Sequence, residues 1–188
     1  MAKKLSMDEL NRIGVEEFKQ ISKLPVVVVL DNIRSMNNIG SVFRTCDAFC
    51  IEQICLCGIT AQPPHKDIEK TALGATQSVN WNYFPTTTEA VNQLKNNQYA
   101  VFAVEQTGES IFLDTFDIQS YPKMALVFGN EVLGVEQEVI DICNGCIEIP
   151  QFGTKHSLNI AVSAGIVLWQ MMYLFGKNNH FDKELVKS

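Results

Sequence analysis

Residues 149–165 read Ile-Pro-Gln-Phe-Gly-Thr-Lys-His-Ser-Leu-Asn-Ile-Ala-Val-Ser-Ala-Gly, a polar loop running straight into an apolar helix. Pro150 closes the strand before it, and Gly153 is expected to permit a tight backbone there. Ser157 and Asn159 open the helix, with Ser157 a natural cap. Asn competes with helical backbone bonding, so a buried Asn159 amide is expected to fasten another loop in place.

Two earlier stretches have the same character of a polar loop at the end of an apolar run. Val26–Leu30 is a β-branched, apolar run that reads as a strand buried on both faces. It is followed by the polar loop Asp31-Asn32-Ile33-Arg34-Ser35-Met36-Asn37-Asn38. This loop leaves the carboxyl end of a strand, where open α/β sheets bind ligands. Asn38 suits the N-cap of the next helix, and Arg44 lies almost two turns inside it. The second stretch, Phe128-Gly129-Asn130-Glu131-Val132-Leu133-Gly134, ends another apolar run. Gly129 can let a ligand approach the backbone, and Glu131 can accept hydrogen bonds from a ribose hydroxyl or a guanidinium.

Outward from these blocks, short apolar or aromatic runs predict strands at Gln53–Cys57, Val79–Phe84, Ala100–Glu105, Met124–Phe128 and Cys146–Ile149. Helices are expected near residues 38–49, 66–73, 86–96, 135–143 and 157–175. Such alternation predicts an α/β fold, a mostly parallel sheet of about six strands with helices on both faces. Ahead of it, Ser6-Met7-Asp8-Glu9 fits a capping box, and Leu10, Ile13, Phe18 and Ile21 follow at helical spacing. A helix over residues 7–21 is expected, ended by Pro25.

The 188 residues suit one domain: an amino-terminal helical extension over 1–23, a core over about 24–176 and a tail over 177–188. At 46% hydrophobic and 19% charged, the composition is that of an ordinary globular protein. The net charge of −6 argues against a protein that coats nucleic acid non-specifically. It leaves room for a local phosphate site built from Arg34, Arg44, Lys66, Lys70 or Lys155.

The start, Met-Ala-Lys-Lys-Leu-Ser-Met-Asp, has no apolar stretch of the kind a secretory signal needs. A cytoplasmic protein with six reduced cysteines is expected. Cys143-Asn-Gly-Cys146 and Cys55-Leu-Cys57 match no familiar zinc spacing, so no metal is expected. Leu158–Phe175 would extend about 27 Å as a helix, long enough to raise a membrane span. Asn159, Ser163, Gly165 and Gln170 interrupt it and favour a buried helix.

In this order, the blocks at Asn38–Thr45, Phe128–Gly134 and Ile149–Gly165 resemble the three motifs of the SpoU (TrmH-like) branch of the SPOUT RNA methyltransferases. Asp31-Asn32-Ile33-Arg34 and Ala72-Leu73-Gly74-Ala75 also fit, and the resemblance covers about residues 24–176. It implies a SPOUT fold with a carboxy-terminal trefoil knot, S-adenosylmethionine held in a bent shape, and methyl transfer to a ribose 2′-hydroxyl of tRNA or rRNA. It also implies a homodimer packed partly through the last helix.

Carried over by position, Arg44, Asn38, Glu131, Ser157 and Asn159 are the catalytic set. Gly129, Ile149 and Leu158 contact the cofactor, with the loop after Glu105 adding to the adenine site. Asn38 and Glu131 are expected to orient Arg44 and the ribose. Two other readings share the fold: a non-catalytic RNA-binding assembly factor, and an RNA base methyltransferase.

Overall fold

The structure, a computed structural model, describes residues 2–6, 8–10 and 12–177. Among these residues, seven strands form one sheet in which every pairing is parallel. They are β1 (Leu24–Asp31), β2 (Ile51–Cys57), β3 (Trp81–Phe84), β4 (Ala100–Val104), β5 (Ile111–Phe112), β6 (Met124–Phe128) and β7 (Gly145–Glu148). Their spatial order is β3-β2-β1-β6-β4-β7-β5. The seventh strand is β5, two exposed residues beside β7, too short to leave a periodicity in the sequence.

Seven α-helices accompany the sheet: α1 (Val15–Gln20), α2 (Met36–Ala48), α3 (Lys66–Ala72), α4 (Ala75–Ser78), α5 (Thr87–Asn96), α6 (Gln137–Ile142) and α7 (Ile160–Lys177). Side chains along a strand point to alternate faces, and β1 shows the consequence. Val26, Val28 and Leu30 enter one apolar cluster with α2 and α7. Val27 and Val29 enter the other, with residues of α5 and α6. A strand buried on both faces must be apolar throughout, which is why Val26–Leu30 carries no polar residue.

The chain winds outward from β1 through β2 to β3, then returns so that β6 lies on the other side of β1. The carboxyl ends of β1 and β6 therefore flank a topological switch point, where α/β sheets leave a crevice. Loops from both strands meet there.

The amino-terminal segment departs from expectation. The capping box forms: the Ser6 N–H donates to Glu9 Oε2 at 2.7 Å and the Glu9 N–H to Ser6 Oγ at 3.3 Å. It starts only a 3-10 turn, Asp8–Leu10, and α1 begins separately at Val15. Gly14, extended at φ −76° and ψ 166°, caps α1 and divides the expected helix; glycine disfavours a helix interior. Met7 and Asn11, inside that expected helix, and the tail beyond Lys177 lie outside the described residues.

At the other end, α7 has the length and composition of a membrane span, with a mean hydropathy of 1.3. One face is built into the core: Ile160, Ala164, Val167, Leu168, Met171 and Phe175 are buried.

Candidate active site

β1 ends in Asp31, a fully buried carboxylate. It accepts hydrogen bonds from the Thr87 hydroxyl, from Asn32 Nδ2 at 3.0 Å and from the Glu136 N–H at 3.2 Å. Asn32 adopts φ 55°, and its Oδ1 accepts the Ile59 N–H at 3.1 Å. These two residues bind the end of β1 to α5, to the turn after β2 and to the approach to α6. Sequence reading gave them no role, although an acid ending an apolar buried strand needs donors around it.

Ser35, not Asn38, caps α2, its Oγ accepting the Asn38 N–H at 3.3 Å. That leaves the Asn38 side chain available for other partners. Asn38 Nδ2 donates to Glu131 Oε1 at 2.7 Å, and Asn159 Nδ2 donates to Asn38 Oδ1 at 3.2 Å. An ionised carboxylate only accepts, so the pairing with Glu131 presents the Asn38 carbonyl oxygen to Asn159. Three residues from three separate segments are thereby joined in one chain of hydrogen bonds.

Asn159 is itself the cap of α7. Its Oδ1 accepts the Ala161 N–H at 2.9 Å, and its carbonyl accepts the Ser163 N–H at 2.9 Å. The capping expected of Ser157 thus falls to Asn159, because the helix begins at Ile160. Asn159 is exposed rather than buried, yet it fastens the α2 loop as its bonding capacity required. Ser157 is exposed and makes no hydrogen bond among the described residues.

The loop after β6 folds on Asn130, a buried residue that sequence reading passed over. Its Oδ1 accepts the Val132 and Leu133 N–H groups at 2.9 and 2.8 Å. Backbone bonds of 3.1 and 3.0 Å pair Asn130 with Gly134. Gly129 is required by this fold-back: a Cβ there would lie 2.0–2.2 Å from the backbone of Gly134 and Val135. Gly153 is under no such demand. It has no left-handed φ, and a Cβ added there would meet nothing within 4 Å, so the bend at residues 153–154 does not require glycine.

Between the two loops lies a cleft of about 480 Å³, floored by Val104, Phe128 and Ile147 at the strand ends. Gly129, Ile149 and Leu158 line it, as do Glu131 and Ser157. Its volume is within the range of about 300–1,000 Å³ usual for small-molecule sites. Apolar walls with Gln106, Thr107 and Ser157 among them fit an adenosyl group, and the Glu131 carboxylate suits a cationic sulfur.

Asn38, Asn159 and Arg44 lie outside the lining. The first two reach it through Glu131. Arg44 is exposed, and its side chain makes no hydrogen bond or ion pair among the described residues. Six residues after Asn38, it points about 120° away around α2. Asn38 and Glu131 therefore do not orient Arg44 by contact, contrary to expectation.

Arg44 shares one stripe of α2 with the exposed Asn37 and the half-buried Ser41, beside α3. That helix packs closely because a Cβ on Gly40 would meet Ile68 O and Thr71 Oγ1 at 2.2 Å. Lys66 and Lys70 of α3, with Arg34 and Lys155 elsewhere, are exposed as well.

All six cysteines are unpaired. Burial pushes the Cys55 and Cys143 thiols up to about 12, so they stay protonated and poorly nucleophilic. Among the described residues, no three His, Cys, Asp or Glu side chains gather to hold a metal.

The model of the SpoU rRNA Methylase family matches residues 25–169. The chain is 28% identical to a 23S rRNA (guanosine-2'-O-)-methyltransferase of Neisseria meningitidis over 84% of its own length and 62% of the relative's. It is 27% identical to a tRNA (guanosine(18)-2'-O)-methyltransferase of Thermus thermophilus over 86% and 81%. Among solved structures, an A. aeolicus TrmH/SpoU tRNA modifying enzyme superposes with a TM-score of 0.77 at 24% identity, covering 92% of this chain and 89% of that one. An AdoMet-bound rRNA methyltransferase of Sinorhizobium meliloti superposes at 0.73 with 26% identity, over 83% and 59%.

Proposed function

Since the chain belongs to the SpoU rRNA methylase family, we propose that it transfers a methyl group from S-adenosylmethionine to a ribose 2′-hydroxyl of tRNA or rRNA. The observation that carries this reading is the chain Asn159–Asn38–Glu131 at the mouth of a cleft of cofactor size. When bound, the cofactor supplies an electrophilic methyl on a sulfonium.

The residues must then hold the ribose oxygen in line and stabilise the charge it develops. Glu131 lies at the cleft with one oxygen held by Asn38, which leaves the other to accept from a ribose hydroxyl. Arg44 is a guanidinium, effectively never deprotonated, so it is not the base. It grips a substrate phosphate, while phosphate or water takes the proton. Its lack of a partner among the described residues leaves it available for that role. Arg44→Lys is expected to lower kcat roughly tenfold or more, because lysine cannot form the two-bond fork. Near-full activity in that variant would exclude the fork.

The family's dimer and knot belong to the same proposal. Val162, Ile166, Trp169 and Tyr173 form an exposed apolar stripe along α7, 39–57% accessible, which a second copy would cover. After β7, near one edge of the sheet, α7 packs back against α2 and β1 at its centre, a path compatible with threading. Six unpaired thiols suit the cytoplasm.

The test is incubation of the protein with labelled methyl donor and separate pools of unmodified tRNA and rRNA. Label in one pool is expected. No transfer to either would contradict the reading.

A further inference from the structure

We propose that Glu105 and Gln106, the two residues that follow β4, are positioning residues that clamp together the loops forming the cofactor cleft. This rests on the reading of that cleft as the cofactor site.

β4 lies between β6 and β7, so its carboxyl end emerges between the loops that leave those strands. The backbone of Glu105 is tied to β7 by its N–H, which donates to Ile147 O at 3.1 Å. Its side chain turns the other way. Oε2 accepts the Val135 N–H at 3.1 Å, and Oε1 accepts the N–H of Gln106 at 2.9 Å. One carboxylate thereby fixes the far limb of the β6 loop and the direction of the chain leaving β4.

Main chain lies directly against it. A Cβ on Gly134, which adopts φ +69°, would lie 2.2 Å from Glu105 Oε2. On the far side, a Cβ on Gly129 would strike the same Gly134–Val135 backbone. The carboxylate is thus pressed against bare main chain, with two glycines making the room.

Gln106 performs the matching task on the other loop. Its Nε2 donates to His156 O at 3.0 Å. No other hydrogen bond joins residues 150–158 to the rest of the protein among the described residues. The dipeptide therefore sets the gap between the two walls, and both residues line the cleft.

A charge-assisted bond and a buried N–H left without an acceptor are costly to lose. Glu105→Ala is expected to weaken S-adenosylmethionine binding about tenfold, measured by calorimetry on the full chain. Gln106→Ala should weaken it less, and RNA affinity should stay within about twofold for both, where tenfold equals ~1.4 kcal/mol. Amide-resolved hydrogen exchange should quicken at Val135 in Glu105→Ala and not in Gln106→Ala. Glu105→Gln retains an acceptor for Val135 and should restore most of that protection; it also serves should the alanine variant not fold.

Cofactor affinity unchanged in Glu105→Ala, or cofactor and RNA binding lost together, would overturn the clamp. Should the unaltered protein bind no S-adenosylmethionine, the functional reading fails instead. Val135 exchange then decides the clamp alone: faster exchange in Glu105→Ala supports it, and equal exchange refutes it.

Discussion

The two loops that wall the cleft are built on opposite terms. Residues 129–136 are bound at almost every turn: Asn130 holds Val132 and Leu133, Glu105 holds Val135, and Asp31 holds Glu136. Residues 150–158 are nearly all exposed, and Phe152 is 98% accessible. They are tied by Gln106 at His156, and Asn159 anchors the end of the stretch to Asn38. Segments with few buried contacts open at low free energy, whereas those held by many internal bonds do not. One wall is a fixed seat and the other an adjustable cover. A site that admits a small cofactor and a large RNA needs both, since a preformed seat lowers the cost of ordering on binding and a cover can yield to substrate.

Short of Gly129, where a Cβ would strike main chain, the contrast is broken most severely at Gly134. Gly134→Ala places a Cβ against Glu105 at a positive φ, and the expected cost is about 3 kcal/mol. A urea titration should show the loss of stability, and cofactor binding should fall with it; a wild-type midpoint would mean that the seat is looser than described.

Next comes the frame beneath both loops. Burial raises Cys55 and Cys143 to about 12, whereas an unfolded thiol titrates near ~8.5. Above pH ~8.5 the unfolded chain loses protons that the folded one keeps. Stability is accordingly full below that pH and falls as pH rises toward 12. Thermal melting between pH 8 and pH 11 should show the decline, and replacing both cysteines with alanine should flatten its slope. A slope unchanged by that replacement would remove these two thiols as a cause.

Asn38→Ala separates the seat from the cover, leaving Glu131 without its donor and Asn159 without its acceptor. Methyl transfer is expected to fall roughly tenfold, the size of one or two lost polar contacts. The variant should melt close to wild type, because all three side chains lie at the surface of the site. A large drop in melting temperature would recast Asn38 as structural.

The smallest effect belongs to Gly153→Ala. With open space around it, the change should alter stability by less than about 0.5 kcal/mol and leave cofactor affinity unchanged. A strong effect would show that the cover is as constrained as the seat.

The sequence revealed the strands of the sheet and the blocks of the site better than the way those blocks are fastened. Val26–Leu30 and Met124–Phe128 were legible because strands buried on both faces must be apolar throughout. β5 was not, since two exposed residues carry no pattern. Gly129, Ile149 and Leu158, which the resemblance groups at a cofactor, line one cleft.

The caps of α2 and α7 were each assigned to a neighbouring residue. Ser35 and Asn38 are both good capping types, as are Ser157 and Asn159, and only tertiary contact decides which takes the cap. The fastening roles of Asp31, Glu105 and Asn130 were not legible for a related reason. Their partners are backbone N–H groups of segments distant in sequence or of a turn whose shape is invisible until it closes.

The most direct test of the central claim asks which bond the methyl group enters. RNA labelled by the protein should be digested with alkali and its products separated. Because a 2′-O-methyl group blocks cleavage at its own nucleotide, label is predicted in an alkali-resistant dinucleotide, and Asn38→Ala should reduce it. Label on a mononucleotide, released with the free base on further hydrolysis, would contradict the account.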